Sequence, residues 1–209
     1  MMIYSIKEVY YTVQGEGFYT GRPAVFLRFS GCNLWSGLEK DREKAVCNWC
    51  DTDFFGTDGE NGGKHTASKI VEIMSRLWRN ENSSKPYVVC TGGEPLLQID
   101  DNLIRYIQKS GFEIGLETNG TILPPGGIDW ICVSPKANTK LILKSGNEFK
   151  FVYPQCGMNP RIHESLDFEH FYIQPMDNDN HEENIRISKR FVTDHPKWKL
   201  SLQTHKIMG

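Results

Sequence analysis

Three cysteines near the start of the chain have the side-chain type and spacing of a metal centre: Cys32, Cys47 and Cys50. Cys47 and Cys50 form a C-x-x-C motif, and Cys32 lies fifteen residues before Cys47. Each iron of a [4Fe–4S] cluster takes one thiolate, so three cysteines would leave one iron open to a ligand. A structural zinc site is usually closed by four protein ligands. The pattern therefore predicts a centre that performs chemistry.

The same cysteines, taken alone, also fit a zinc knuckle. Such a site would need a fourth ligand, for which His65 is the candidate. Phe54 and Phe55 follow the C-x-x-C motif, and we expect them to give apolar cover on the cluster side of the loop. Both interpretations stay open on the cysteines alone.

Composition limits the class of protein. The chain has 209 residues, 39% of them hydrophobic, and a net charge of −2, which suits one domain with a substantial core. It has no basic block that would suit nucleic acid, no apolar run near the roughly 20 residues of a membrane span, and no signal-peptide layout at its start. Cys90, Cys132 and Cys156 are expected to be reduced core residues, which predicts a cytoplasmic protein.

Strand-like and helix-like segments alternate along the chain. Short, nearly continuous apolar runs are typical of buried parallel strands, and their order with helices indicates repeated βα units. Seven strands at most are too few for a closed eight-stranded barrel. We therefore predict an α/β fold, an open, trimmed partial (β/α) barrel. The predicted strands are Ala24–Phe29, Tyr87–Thr91, Glu113–Glu117, Trp130–Val133, Phe149–Tyr153, Phe171–Gln174 and Lys199–Gln203, and the predicted helices are Thr66–Arg79, Leu97–Lys109 and Glu182–Thr193.

Polar motifs follow four of the predicted strands. Gly92–Pro95 (GGEP) removes side chains near the backbone, and Glu94 offers a carboxylate to a cationic ligand; a plain strand-to-helix turn is the alternative. Glu117–Thr121, Ser134–Lys136 and Gln174–Asp177 follow later strands. Because parallel strands end at one rim, these motifs and the cysteine loop are predicted to form one site.

The cysteine motif followed by GGEP resembles the radical S-adenosylmethionine (SAM) superfamily. More closely, the chain resembles the 7-carboxy-7-deazaguanine synthase family of 7-deazapurine (queuosine) biosynthesis. The superfamily's common C-x3-C-x2-C motif is C-x14-C-x2-C here, and a subgroup of the family resembles this chain in its long spacer. We therefore expect a single domain over residues 1–209 with an insertion at about 33–46. The matching segments are TVQGEG (Thr12–Gly17), RFSGCNLW (Arg28–Trp35), CDTDF (Cys50–Phe54), TGGEP (Thr91–Pro95), ETNGT (Glu117–Thr121), SPK (Ser134–Lys136) and QPMD (Gln174–Asp177).

The resemblance implies a reaction, its cofactors and its partners. The family is a radical SAM lyase that converts 6-carboxy-5,6,7,8-tetrahydropterin into 7-carboxy-7-deazaguanine with loss of ammonia. The implied cofactors are a [4Fe–4S] cluster, SAM and Mg²⁺. An electron donor such as flavodoxin or ferredoxin and a homodimer are implied as well, with no nucleic-acid or membrane partner.

Matched motif by motif, the resemblance also assigns residues. Cys32, Cys47 and Cys50 would hold the cluster, and Thr52 occupies the magnesium position. The implied SAM contacts are Trp49, Asp51, Gly93, Glu94, Glu117, Ser134, Lys136, Gln174, Pro175, Met176 and Asp177. The implied substrate contacts are Thr12, Val13, Gln14, Glu16, Arg28, Thr91, His205 and the terminal Gly209.

Several of these residues keep a second interpretation. Arg28 can bind a substrate carboxylate bidentately or pair with an internal acid. Thr52 suits a hard cation or caps a turn. His205 and Gly209 either reach the substrate or belong to a frayed terminus.

Two other functions remain as alternatives. One is a glycyl-radical activating enzyme, which would share the cluster and GGEP; the other is a non-catalytic zinc-binding module. TVQGEG before the cysteines, together with Arg28, favours the pterin reaction over the first.

Overall fold

The structure, a computed structural model, describes residues 2–79, 85–204 and 206. The described residues form nine strands in a single open sheet with the order β3-β1-β2-β4-β5-β6-β7-β8-β9. The sheet is parallel from β2 to β9, and β1 and β3 are antiparallel additions at one edge. The elements are β1 (Tyr4–Val13), β2 (Pro23–Phe29), β3 (Gly63–His65), α1 (Ala67–Leu77), β4 (Tyr87–Gly92), α2 (Asp101–Lys109), β5 (Glu113–Thr118), β6 (Trp130–Val133), β7 (Ser145–Tyr153), β8 (Asp167–Pro175), α3 (His181–Asp194) and β9 (Trp198–Leu200).

All seven predicted strands are present, but the limit of seven was wrong. The prediction missed β1 and β3, which form the antiparallel edge of the sheet. β1 mixes polar and apolar residues, and β3 is only three residues long, so neither has the continuous apolar run that marked the parallel strands. The last strand also ends earlier than predicted, at Leu200.

The predicted helices are confirmed with altered starts. Thr66 caps α1, because its side chain accepts a hydrogen bond from the Lys69 backbone N–H. The second helix begins at Asp101 and is capped by Asp100, while Pro95–Leu97 form a separate short 3₁₀ helix. None of the helices in the described residues is long and apolar enough to cross a membrane.

The strands place alternate side chains on two different faces. Leu27, Val88 and Leu116 belong to the core cluster that also contains Ile70 of α1 and Leu103 of α2, and all five side chains are fully buried. Successive residues of a strand point to opposite faces, so the neighbours of these residues face away from the helices. The sheet therefore has an apolar helix-covered face and a second, concave face.

Two of the three cysteines outside the motif are buried, as predicted, and the third is not. Cys90 and Cys132 are buried, but Cys156 is exposed. Cys156 lies in a turn beyond the end of β7, between the bridged residues Gln155 and Met158, so its side chain has no core to enter.

The segment between Cys32 and Cys47 contains a 3₁₀ helix at Glu39–Lys44 with no buried residue. Arg42 ties this segment to the cysteine loop, donating to the carbonyl oxygens of Asn48 and Cys50 at 3.2 and 3.1 Å. The Arg42 guanidinium also lies 4.1 Å from the centre of the Trp35 ring.

Candidate active site

A cavity of about 490 Å³ lies on the concave face of the sheet. Side chains from β1, β2, β4, β5, β6, β7 and β8 line it, as do the cysteine loop and residues near the C-terminus. A volume of this size is typical of small-molecule sites.

All three motif cysteines line this cavity. A hydrogen bond between the thiols of Cys47 and Cys50 raises the pKa of Cys47 and lowers the pKa of Cys50. The nearby Lys136 ammonium also lowers both pKa values by its charge. Burial raises the pKa of Cys32. The wall thus favours a thiolate at one of its cysteines before any metal binds.

The donor set fits a cluster better than a single ion. No group of three or more His, Cys, Asp or Glu side chains within the described ranges converges closely enough to hold one metal ion. A [4Fe–4S] cluster takes its thiolates at different irons, so its ligands lie farther apart than the ligands of one ion. His65, the candidate fourth zinc ligand, lies in β3 with Nε2 3.1 Å from the Asn61 carbonyl oxygen, and it is absent from the described cavity lining.

Gly93 packs against the segment that carries Cys32. Its backbone N–H donates to the Phe29 carbonyl at 3.3 Å, and the next N–H, of Glu94, donates to the Gly31 carbonyl at 2.9 Å. A Cβ at residue 93 would lie 2.1 Å from the Gly31 oxygen and 2.8 Å from Cys32 Cβ. Only glycine therefore allows the GGEP turn and the cysteine segment to approach this closely.

Glu94, whose carboxylate was predicted to meet a cationic ligand, is bound by groups of the protein itself. Its carboxylate is fully buried and accepts hydrogen bonds from Thr118 Oγ1 at 2.9 Å, Asn119 N at 2.8 Å and Leu96 N at 3.0 Å. Burial raises the pKa of Glu94, and these hydrogen bonds oppose that rise. The side chain is absent from the described cavity lining, and it fixes the loop that follows β5.

That loop is joined to the cysteine segment. Asn119 Nδ2 donates to Asn33 Oδ1 at 2.9 Å, and Asn33 Nδ2 donates to Thr121 Oγ1 at 2.8 Å. Asn33 directly follows Cys32, so the ETNGT motif orients a predicted cluster ligand.

Most of the predicted SAM contacts line the cavity, but the last motif is divided. Gln174 faces the cavity, whereas the three residues after it are absent from its described lining. Asp177 instead binds Lys206 at 2.5 Å. The predicted SAM contacts that line the cavity are Trp49, Asp51, Gly93, Glu117, Ser134, Lys136 and Gln174, and those that do not are Glu94, Pro175, Met176 and Asp177.

The predicted substrate contacts that the structure describes all line the cavity: Thr12, Val13, Gln14, Glu16, Arg28 and Thr91. His205 and Gly209 lie outside the described residues. The predicted magnesium ligand Thr52 also lines the cavity, between Asp51 and Asp53.

Arg28 pairs with internal groups at the cavity wall, and its contact with a substrate carboxylate stays a prediction. Its Nε donates to Glu8 Oε1 at 2.8 Å, and its NH2 group donates to the Tyr10 hydroxyl at 3.2 Å. The same residue lines the cavity. Burial by itself would lower the pKa of Arg28, but Tyr10 and Glu8 outweigh it and the pKa is raised. The internal partners therefore fix a permanent positive charge at the cavity wall.

Sequence reasoning missed the polar side chains that lie within strands or near the C-terminus. Lys150, in the middle of β7, donates to Glu16 Oε2 at 2.5 Å and to Glu117 Oε1 at 3.4 Å. A charged residue inside the apolar run FKFVY was the available signal. The other missed polar lining residues of this kind include Lys7, Glu8, Tyr10, Gln203 and Lys206.

Residues just after β9 contact several parts of the cavity wall. Gln203 Nε2 donates to Glu16 Oε1 at 3.0 Å, and the Thr204 N–H donates to the Gly15 carbonyl at 3.0 Å. Lys206 Nζ binds Asp51 Oδ2 at 2.7 Å as well as Asp177. These contacts connect the β1–β2 loop, the cysteine loop and the end of β8.

Comparisons with known proteins agree with this geometry. No protein-family model matches the chain. It is 53% identical over 209 residues to the 7-carboxy-7-deazaguanine synthase of Caulobacter vibrioides, covering 100% of this chain and 99% of the relative. It is 52% identical, with the same coverage, to the enzyme of that name from Bradyrhizobium diazoefficiens. A crystal structure of QueE from Escherichia coli superposes with a TM-score of 0.70 at 24% identity, covering 97% of this chain and 94% of that one, which confirms the open partial barrel.

Proposed function

This chain belongs to the 7-carboxy-7-deazaguanine synthase family, and we propose that the concave-face cavity is where it performs the family's reaction. The enzyme is a radical SAM lyase that converts 6-carboxy-5,6,7,8-tetrahydropterin into 7-carboxy-7-deazaguanine with loss of ammonia. One observation carries the proposal: three cysteines and a set of charged hydrogen-bonding groups line a single cavity. The full-length identity favours this reaction over glycyl-radical activation and over a zinc-binding module.

Cys32, Cys47 and Cys50 would hold the [4Fe–4S] cluster on one wall. When bound, the cluster and SAM supply a one-electron route to the radical that removes a hydrogen atom from the substrate. The chain's own groups orient SAM. Ser134, Lys136 and Gln174 offer polar contacts at the strand ends, and Lys136 Nζ is held by the Ser134 carbonyl and hydroxyl oxygens at 2.7 Å each.

Arg28 is suited to the carboxylate of the pterin. A guanidinium whose Nε is already bound by Glu8 loses little side-chain freedom when an anion arrives. Gln14, Glu16 and Thr91 present amide, carboxylate and hydroxyl groups to the donor and acceptor edge of the ring. Together they orient the substrate between Arg28 and the SAM side of the cavity.

Thr52 is proposed to bind magnesium. Its position beside Asp51 and Asp53 on the cavity wall supports this, since Mg²⁺ prefers oxygen ligands and keeps several waters. Magnesium should raise turnover, and Thr52→Ala should blunt that response without loss of cluster iron. An alanine variant that responds to magnesium like the parent would make Thr52 a turn residue.

The remaining parts of the proposal concern partners and location. We infer an electron donor such as flavodoxin or ferredoxin, because the reaction needs one electron to begin. Six free cysteines support a reducing, cytoplasmic setting. The continuous nine-stranded sheet of the described residues supports one domain over residues 1–209 with the insertion at about 33–46. The family resemblance supports a homodimer.

Anaerobic turnover tests the function. The reconstituted protein is incubated with SAM, dithionite and 6-carboxytetrahydropterin, and we expect 7-carboxy-7-deazaguanine and ammonia in equal amounts with no net loss of SAM. A protein that takes up iron and cleaves SAM but leaves the pterin unchanged would contradict the assignment. A protein that binds zinc and no cluster would contradict it more deeply.

A further inference from the structure

The least exposed cation of the site is Lys150. Its side chain is 6% exposed, and it pairs with Glu16 and Glu117, whose side chains are 15% and 24% exposed. Glu16 comes from the β1–β2 loop and Glu117 from the end of β5, so a single ammonium group joins two separate parts of the cavity wall. Burial by itself would lower the pKa of Lys150, but Glu117 and Glu16 outweigh it and the pKa is raised.

The two glutamates are held at both oxygens. Glu117 accepts from Gln14 Nε2 and Thr91 Oγ1, each at 3.1 Å, in addition to Lys150. Glu16 accepts from Gln203 Nε2 at 3.0 Å in addition to Lys150. The cluster of polar groups is therefore ordered, with the ammonium at its centre.

Charge balance makes Lys150 necessary to this arrangement. The charged and titratable groups that face it are Glu16, Glu117, Cys132 and Glu148. Burial raises the pKa of Glu148, and its Oε2 accepts a hydrogen bond from the Phe18 N–H at 3.2 Å. Neighbouring carboxylates that are largely shielded from water repel each other strongly unless a cation lies between them.

We propose that Lys150 is a positioning residue that keeps the carboxylates of Glu16 and Glu117 ionised and at a fixed separation. This rests on the proposed function, which places the pterin on Glu16 and SAM on Glu117. Lys150 thereby aligns the two ligands. The aminopyrimidinone edge of a pterin presents N–H donors, and an ionised carboxylate is the stronger acceptor for them.

The test compares lysine variants by direct binding. Pterin affinity is measured anaerobically by calorimetry on the cluster-loaded protein with SAM and no reductant, from pH 6 to pH 9. Lys150→Met keeps the length of the side chain and removes its charge. At pH 7 we expect the pterin Kd to rise about ten- to a hundredfold, the size of losing one or two charge-assisted hydrogen bonds.

The pH profile separates positioning from packing. Without the Lys150 ammonium, the like charges of the two carboxylates repel each other, and uptake of a proton relieves that repulsion at low pH but not at high pH. The ratio of variant Kd to parent Kd should therefore fall as pH rises. Lys150→Arg, which keeps the cation, should show a smaller and nearly pH-independent ratio.

Lys7→Met is the matched control. Lys7 is also a buried lysine of the cavity wall, 7% exposed, but its partners Asp53 and Asp58 are exposed carboxylates in contact with solvent. Its Kd ratio should not depend on pH. If Lys150→Met fails to fold, Lys150→Gln, which keeps a hydrogen-bond donor without charge, replaces it with the same expectation.

Each outcome decides the proposal. A Kd ratio for the neutral variant that does not change with pH, or an equal loss in Lys150→Arg, would assign Lys150 to the fold alone. A protein with Lys150 intact that binds no pterin would overturn the proposed function and this role together. If the parent protein binds the pterin but the Kd ratio of the neutral variant does not change with pH, only the role of Lys150 is overturned.

Discussion

The same strands build both faces of the sheet, but the two faces have different roles. In β7, Phe149 and Phe151 enter an apolar cluster with 0% exposure, while Glu148 and Lys150, which alternate with them along the strand, face the other way and are nearly as buried. Burying apolar carbon is favourable without any partner, whereas burying charge costs free energy unless partners are supplied. A fold that needed only stability would not place charges there.

The contrast teaches where to look for function. The helix-covered face requires only apolar side chains of suitable volume. Substitutions there should therefore change the stability of the fold and not the catalytic rate. The concave face is held by specific hydrogen bonds and ion pairs, so substitutions there should change ligand binding and chemistry first.

The largest expected effect is the loss of catalysis in the motif cysteines. Cys32→Ala, Cys47→Ala or Cys50→Ala should each abolish product formation and lower cluster iron, because each removes one thiolate from a three-thiolate site. Cys90→Ala, on the helix-covered face, should keep its iron and its activity. Iron content and product formed per enzyme are the measurements. An equal loss of iron in Cys90→Ala would contradict the assignment of different roles to the two faces.

Gly93→Ala should come next. The added Cβ would meet the Gly31 oxygen at 2.1 Å, so the backbone beside Cys32 must shift. We expect cluster iron and turnover to fall at least about tenfold, since small displacements of catalytic groups are costly. Gly126→Ala is the control, because no heavy atom lies within 4 Å of the Cβ it would add. Full activity in Gly93→Ala would contradict the close packing of GGEP on the cysteine segment.

Leu103→Ala tests the opposite face. Leu103 of α2 is fully buried among apolar side chains, so the change should lower the free energy of unfolding by about 2–5 kcal/mol. The folded fraction should keep its kcat. Urea denaturation measures the first quantity and anaerobic assay the second. Leu123→Ala, at a side chain 63% exposed, should change neither, and a lowered kcat in Leu103→Ala would show that the faces are coupled.

The smallest effect concerns an ion pair at the start of the strands, away from the cysteines. Arg22 binds both oxygens of Glu113, at 2.9 and 3.0 Å, and lowers the pKa of that carboxyl. A carboxyl whose pKa is lower in the folded than in the unfolded protein stabilises the fold at pH values above its unfolded pKa of about 4.3. That stabilisation is lost as the pH falls through the folded pKa. Glu113→Gln should therefore cost about 1 kcal/mol at pH 7 and less near pH 3.

Urea titrations at the two pH values measure this difference. Glu72→Gln, which breaks an exposed pair with Lys69, serves as the control and should change little at either pH. A cost for Glu113→Gln that is equal at both pH values would show that packing, and not charge, holds Glu113.

The sequence predicted the apolar half of the molecule well. Seven strands and three helices follow from apolar runs and their spacing, because buried parallel strands read as nearly continuous hydrophobic segments. The antiparallel edge strands β1 and β3 were missed, since their residues are mixed or too few for that signal.

The site was predicted less completely. Motifs after the strands located the cavity, but the path of the chain beyond a strand decides which side chains face it. Gln174 therefore lines the cavity while Pro175 and Met176 do not, and Glu94 turns into the protein. Lys150 was missed because it lies within a strand, and because its partners come from residues 33 and 134 positions away, which only the folded sheet brings together.

The most direct test of the account is an anaerobic crystal structure of the cluster-loaded protein with SAM and 6-carboxytetrahydropterin, with diffraction recorded at the iron absorption edge. We expect anomalous iron density beside Cys32, Cys47 and Cys50, and the pterin ring in the same cavity with its carboxylate on Arg28 and its amino edge on Glu16. Iron density at any other place, or a pterin bound outside the concave face, would contradict the account.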